Sequence, residues 1–532
     1  MPTPTGWSQG LFASLTGFQN IDALLIGSRW AGVVTYSFPT YGSIWSTSQS
    51  TGYGATSGNG EPWNAWFSPL SSSDRPFFVS ALQKWSSVTN LRVVETADTA
   101  SSVGDIRAAY TPGSGSTFGA QAWAYSPGAS ALAGDIWFNA VGTSATSVWT
   151  PGSYANFTII HELGHALGLK HPFSGSPVLS ASWDSQLFTV MSYTALAGVP
   201  NSTLSFYPTT PMLLDIAALQ YLYGANYGWR NGTDTYIYGD STTYNETIWD
   251  GGGDDTIRYD GFWASTINLQ EAHGSALGNA VYAMTGYFNQ SRINNIWIAY
   301  GVTIENGIGG SGSDVITGNQ VANVLGGRQG NDTLNGLSGN DVLVGGAGND
   351  ILDGGTGIDI AVFLGSRSNY VTSRTSSGFT VRDITGADGT DTLMNVERLL
   401  LESTGVAFDI AGNAGTTAKL LGAVFGRAAV LNPTYVGIGL SYLDGGMSYE
   451  GLAQIALTAR LGVGFTPVQE VQLLYQNLTG GLAPPVELAY WTNALSSGQY
   501  TAASLATMAS DTAINQLNID FVGLSVRGLE YQ

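Results

Sequence analysis

A nine-residue period governs the stretch from Gly309 to Val362. It reads GGSGSDVIT, GNQVANVLG, GRQGNDTLN, GLSGNDVLV, GGAGNDILD and GGTGIDIAV. Acidic residues recur at Asp314, Asp332, Asp341, Asp350 and Asp359, with Asn323 in the weaker second repeat. Apolar pairs such as Val342/Leu343 and Ile351/Leu352 follow each one. Glycine permits a tight loop with carbonyls turned inward. The short strand after each loop buries an apolar side chain. Each nonapeptide is then half of one coil, and repeats two apart stack on the same side of a parallel β-roll. Stacked carboxylates and carbonyls supply the oxygen ligands that hard Ca²⁺ requires, so the five aspartates are the candidate calcium ligands. A flexible glycine-rich linker has no fixed period and does not account for the pattern. Without Ca²⁺ the carboxylates repel across a thin core, and unfolding is expected. A single earlier cluster, Gly251-Gly252-Gly253-Asp254-Asp255, offers similar ligands once.

The second constraint is His161-Glu162-Leu163-Gly164-His165-Ala166-Leu167-Gly168-Leu169-Lys170-His171, which holds three of the four histidines in the chain. His161 and His165 share one helical face at about 3.6 residues per turn, so both imidazoles reach one ion. Gly168 lets the helix end and the chain turn back. His171 then arrives as a third ligand, and Pro172 prevents an easy return to helix. Three nitrogens with a fourth position open are the pattern of catalytic rather than structural zinc. Glu162 stands beside the first ligand, placed to take a proton from the attacking water. A bare His-Glu-x-x-His arises by chance on ordinary helices; the added Gly168 and His171 remove most such accidents.

Charge and composition narrow the class. The 532 residues suit two to four domains, and the formal net charge of −20 makes nucleic acid an unlikely partner. Charged residues are only 11% while glycines number 71, a balance usual in exported, loop-rich β proteins. With no cysteine, disulfides and thiolate metal sites are excluded. The start, Met1-Pro2-Thr3-Pro4-Thr5-Gly6-Trp7, lacks a basic n-region and a long apolar run. No stretch approaches the roughly 20 apolar residues of a spanning helix. Either the protein is cytosolic or its export signal is not N-terminal.

Along the chain, Leu11–Ile26 has helical apolar spacing, and residues 33–38 read as a first core strand stopped by Pro39. Ser73-Asp74-Arg75-Pro76 opens a helix whose buried stripe is Phe78, Leu82 and Trp85. Residues 91–95 and 106–110 read as strands. Ile136, Trp137 and Phe138 form a short strand just before the metal helix. It is either an edge strand that pairs with an extended substrate backbone or an ordinary sheet strand. Met191 is placed to floor the metal site with an apolar side chain, and Tyr193 to bring a phenol to the metal or to a developing oxyanion; either residue can instead be plain core.

The extended histidine motif and Val190-Met191-Ser192-Tyr193 resemble the metzincin zinc endopeptidases, and within them the serralysin family of secreted bacterial proteases. Asp184–Thr189 leading into Met191, and Leu213–Asn226 as a closing helix, extend the resemblance over roughly residues 15–365. It implies zinc on His161, His165 and His171, Glu162 as base and Tyr193 as a movable ligand. It also implies export through a type I secretion channel by a C-terminal signal.

The tail departs from that family. About 120 residues follow the repeats and read as short helices in two loosely similar halves, resembling a helical module at the ends of bacterial surface proteins. The expectation is a multidomain α+β chain. Residues 1–235 form a metzincin-like zinc protease domain with a short N-terminal extension. Residues 236–411 form the RTX calcium-binding parallel β-roll. Residues 412–532 form a small helical C-terminal domain for anchoring at a cell surface, secretion or capping the roll. The function expected is a secreted, extracellular zinc metalloendopeptidase acting on proteins or peptides, with Zn²⁺ and Ca²⁺ as cofactors. The alternative is a surface-layer or adhesion protein with a vestigial zinc site.

Overall fold

A computed structural model gives the architecture and describes residues 3–4, 11–56, 61–112, 120–139, 149–286 and 289–532. The chain forms two compact units, Met1–Gly261 with Ser265–Ile304, and Phe262–Ala264 with Glu305–Gln532.

The first unit is built on a mixed sheet. Its strands are β1 (Val34–Ser37), β2 (Val93–Glu95), β3 (Ile106–Thr111), β4 (Ala122–Ala124) and β5 (Ile136–Asn139), in the order β2-β1-β3-β5-β4. All pairings along this path are parallel except β5 with β4. Every residue of β1, β3 and β5 is buried, as expected for inner strands covered on both faces. Helix α1 (Arg75–Ser87) carries its proline in the first turn and buries Phe78, Leu82 and Trp85. Helices α2 (Tyr154–Ala166) and α3 (Leu213–Tyr223) join the same core. Residues 236–261 and 265–304 also belong to this unit. Glu246–Ile248 pairs with Ile296–Ile298, and Trp297 packs into the core behind α2.

The second unit begins as a roll. One face stacks Asn306–Ile308, Val324–Gln329, Val342–Ala347, Ile360–Phe363 and Arg398–Leu401 in parallel. The other stacks Val315–Thr317, Thr333–Asn335, Ile351–Asp353 and Thr390–Met394. The middle residue of each repeat strand points inward: Ile316, Leu325, Leu334, Leu343, Leu352 and Ala361 are fully buried. Alternate residues face out because side chains along a strand alternate.

Beyond the roll, eight α-helices run from Asn413–Phe425 to Phe521–Arg527 around two apolar clusters. The sequence reading anticipated helices here. It did not anticipate the final strand, Leu529–Tyr531, which pairs antiparallel with Thr404–Ala407 and extends the roll's sheet. Arg398, only 2% exposed, pairs with Asp409 and at 3.1 Å with Asp444, joining a roll strand to the helix Pro433–Asp444. Removing one member of a buried ion pair leaves uncompensated charge. Arg398→Ala is therefore expected to lower the stability of the calcium-loaded protein by about 3–5 kcal/mol, read from denaturant unfolding. An unchanged midpoint would show that this pair does not hold roll and helices together.

Candidate active site and calcium turns

Helix α2 is fixed at both ends. Ser153 accepts a hydrogen bond from the Asn156 N–H at 3.1 Å and caps its start. At the other end the terminal carbonyls need donors. Trp30 donates to the Ala166 carbonyl at 2.7 Å and the Tyr223 hydroxyl to that of Leu167 at 2.7 Å, while within the helix Trp85 donates to the Ile160 carbonyl at 3.1 Å. Gly168 follows with φ +111°, and a Cβ there would lie 2.5 Å from the Ser28 carbonyl oxygen. Only glycine suits that position. The Lys170 N–H then bonds the Leu24 carbonyl at 2.7 Å, directing His171 back over the helix.

The three imidazoles converge. Nε2 of His171 lies 3.1 Å from Nε2 of His161 and 3.0 Å from Nε2 of His165. The Nδ1 atoms of His161 and His165 lie 2.7 and 2.9 Å from the Val190 and Leu169 carbonyls. A carbonyl only accepts, so Nδ1 of these two rings carries the proton and their Nε2 atoms present lone pairs toward His171. Burial pushes both imidazoles down, His165 to about 4, which keeps them neutral. Neutral lone pairs facing one another at this distance repel unless a cation lies between them. Tetrahedral zinc with bonds of about 2.0–2.1 Å would set such nitrogens roughly 3.3 Å apart, so the donor set fits that ion. The carbonyls that fix the tautomers are the outer-shell partners such a site requires.

Glu162 is 5% exposed, its Oε2 has no hydrogen-bond partner, and burial pushes its carboxyl up to about 8. The Tyr193 hydroxyl lies 2.8 Å from Nε2 of His171, on a side chain 62% exposed. Met191 is fully buried beneath α2, where a Cβ on Gly164 would come within 2.5 Å of its sulfur. Asp215 of α3 holds this turn by accepting from Thr189 Oγ1 (2.5 Å), the Val190 N–H (2.7 Å) and the Met212 N–H (2.9 Å). Sequence reading passed over Asp215; an acid inside an otherwise apolar helix, Leu213-Leu214-Asp215-Ile216, was the available signal. Beside Glu162 opens a cavity of about 620 Å³, lined by Tyr154, Phe157, Thr158, Gln186, Tyr193 and Tyr207 among others.

Ile136, Trp137 and Phe138 do not form an edge. Strand β5 is hydrogen-bonded to β3 on one side and β4 on the other, and its side chains are buried. Its backbone has no free partner for a substrate. Among the described residues, the edge strand on this side of the sheet is β4, and Ala122 at its start lines the cavity.

In the roll, each repeat aspartate is oriented by backbone. Asp332 Oδ1 accepts the Asp314 N–H (2.7 Å), Asp350 Oδ1 that of Asp332 (2.8 Å), Asp341 Oδ1 that of Asn323 (2.8 Å) and Asp359 Oδ1 that of Asp341 (2.8 Å). The Oδ2 atoms of Asp332, Asp341, Asp350 and Asp359 are buried without a hydrogen-bond partner. A row of bare carboxylate oxygens facing glycine turns fits a hard divalent cation. Of the earlier cluster, Asp255 but not Asp254 joins a carboxylate group: oxygens of Asp234, Asp250 and Asp255 lie within 4.8 Å of one another.

Comparison with known proteins matches the matrixin family model to residues 70–189 and the RTX calcium-binding nonapeptide repeat to residues 240–259, 304–325 and 326–361. The chain carries a matrixin peptidase domain and RTX repeats. Serralysin from Photorhabdus luminescens is 33% identical over 287 residues, covering 49% of this chain and 56% of the relative. Metallopeptidase AprA from Pseudomonas marginalis is 36% identical over 284 residues, with coverage of 48% and 56%. Serralysin C from Dickeya chrysanthemi is 38% identical over 260 residues, with coverage of 44% and 51%. The chain thus spans about half the length of these relatives. The matrixin domain brings zinc and the RTX repeats bring calcium as cofactors. The adhesion alternative is not favoured, since the matrixin domain keeps all three histidines and the glutamate.

Burial and neighbouring aspartates push the carboxyls of Asp332 to about 7 and Asp359 to about 6. Both lie above the usual value of about 4. Without calcium, their contribution to stability is complete at low pH and is lost as pH rises through about 6 to 7. Calcium-stripped protein is expected to melt at a lower temperature at pH 8 than at pH 5, and calcium-loaded protein to show the opposite trend. Parallel trends with and without calcium would contradict this electrostatic account.

Proposed function

We propose that this chain is an extracellular zinc endopeptidase, with His161, His165 and His171 holding the metal. The observation that carries the reading is the convergence of three imidazole Nε2 atoms beside a buried carboxylate whose Oε2 has no hydrogen-bond partner. Bound there, zinc would act as a Lewis acid, polarising a scissile carbonyl and lowering the pKa of water. Glu162 accepts the proton of the attacking water and passes it to the leaving amine. Its elevated affinity for protons suits a group that must act as base and then as acid near neutrality. The Tyr193 phenol leaves His171 and donates to the tetrahedral oxyanion. Met191, packed beneath α2, sets the height of the histidines. An extended peptide adds to the sheet at β4 and lays one side chain in the cavity beside Glu162.

The aspartates Asp314, Asp332, Asp341, Asp350 and Asp359 hold calcium in this reading. Ca²⁺ affinities of extracellular modules are often roughly 10⁻⁴–10⁻³ M. The roll therefore stays unfolded where calcium is scarce and folds after export. No helix among the described residues is long and apolar enough to cross a membrane. Residues 412–532 serve secretion by a type I channel or attachment at the cell surface.

Glu162→Gln is expected to lower casein hydrolysis by about 10³-fold or more while the protein retains its zinc. Zinc removal by a chelator should stop the wild-type reaction. Wild-type rates in the Gln variant would overturn the role given to Glu162.

A further inference from the structure

The RTX repeats end at residue 361, yet the stack on one face of the roll does not. After Val362 the chain leaves through the antiparallel strands Tyr370–Arg374 and Gly378–Asp383 and returns as Gly386-Ala387-Asp388-Gly389-Thr390-Asp391-Thr392-Leu393-Met394. That segment takes the next place above Gly345–Asp353. Ile351 pairs with Thr392 and Leu352 with Leu393, as Thr333 and Leu334 pair with Ile351 and Leu352 one level below. Leu393 is fully buried in line with Leu334 and Leu352.

The turn repeats too. Asp391 Oδ1 accepts the Asp350 N–H at 2.8 Å, just as Asp350 Oδ1 accepts the Asp332 N–H at 2.8 Å. The Thr390 N–H bonds Asn349 Oδ1 at 2.8 Å, as the Asn349 N–H bonds Asn331 Oδ1 at 2.8 Å. Gly389 takes φ +77°, and a Cβ on it would lie 2.2 Å from the Gly348 carbonyl oxygen. Gly348 meets the Gly330 carbonyl in the same way. Tyr370 on the inserted hairpin donates its hydroxyl to Asp388, holding a further carboxylate at this turn.

Asp350 is 1% exposed, and its Oδ2 is buried without a hydrogen-bond partner. That oxygen points into its own turn, 2.3 Å from where a Cβ on Gly345 would stand. The equivalent oxygen of Asp332 lies 2.2 Å from the corresponding point on Gly327. Asp350 is thus prepared as its counterparts are, and the carboxylate stacked on it comes from beyond the hairpin.

We propose that Asp350 and Asp391 form a calcium site that ties the last RTX repeats on this face to the segment returning from the hairpin. This rests on the reading of the roll as calcium-bound. The bare carboxylate oxygen in a glycine turn suits Ca²⁺, which tolerates irregular oxygen shells, better than Mg²⁺, which demands near-ideal octahedral geometry. The ion also fixes the approach to Arg398–Leu401, the strand from which Arg398 reaches the helices.

The test counts calcium per chain in the full-length, zinc-loaded protein by equilibrium dialysis and elemental analysis. Asp391→Asn keeps an oxygen for the Asp350 N–H and removes the charge. The expected result is one calcium fewer than wild type, with the circular dichroism of the calcium-loaded protein retained. An unchanged count would overturn the site. Should the variant fail to fold, wild-type crystals grown in calcium decide by anomalous scattering. A peak between Asp350 and Asp391 supports the site; peaks between Asp332 and Asp350 with none at Asp391 overturn it. No calcium anywhere in the roll would instead overturn the calcium reading on which the site depends.

Discussion

Three imidazole lone pairs aimed at one point are the interaction on which the first unit depends. Each is aimed by the backbone or by packing rather than by the other histidines. Val190 and Leu169 carbonyls fix two of the tautomers, and the turn at Gly168 returns the third ring to the first two. Those carbonyls are themselves placed: Asp215 ties down the Val190 turn, and the Leu24–Lys170 bond ties down the segment after Gly168. These buried hydrogen bonds thus converge on keeping the nitrogens close. Apart from a cation there is no evident physical gain in doing so.

The second unit uses the same device in oxygen. A backbone N–H takes one oxygen of Asp332, Asp341, Asp350 and Asp359 and leaves the other without a hydrogen-bond partner in a glycine turn. Orientation is settled by the main chain, so the side chain has little freedom left to lose when it meets an ion. The glycines matter because a Cβ at the first position of a turn would fall on the carboxylate, as at Gly327, Gly336 and Gly345. A stack of this kind builds a thin core, in which one fully buried apolar side chain per repeat lines the interior. At the other end of the roll the buried Arg398 supplies a fixed cation to Asp409 and Asp444.

What the sequence disclosed followed from period. Histidines four apart with a glycine and a third histidine, and aspartates nine apart, have one simple geometric solution each. What it hid was set by tertiary pairing. Nothing in Ile136-Trp137-Phe138 itself distinguishes an edge strand from an inner one; that depends on Ala122–Ala124 folding back beside it. Asp391 escaped because residues 363–385 interrupt the period, although Gly386-Ala387-Asp388-Gly389-Thr390-Asp391 preserves the glycine and aspartate spacing. The strand Leu529–Tyr531 follows directly on a helix and is too short for alternation to show. Asp215 looked like an isolated acid until its three donors were in place.

The central claim is that one zinc ion is shared by His161, His165 and His171. X-ray absorption at the zinc edge of purified, calcium-loaded protein tests it most directly. The account predicts stoichiometric zinc with three imidazole nitrogens at about 2.0–2.1 Å and the remaining ligand a light oxygen. Zinc absent from the folded protein, or present with oxygen ligands alone, would contradict it.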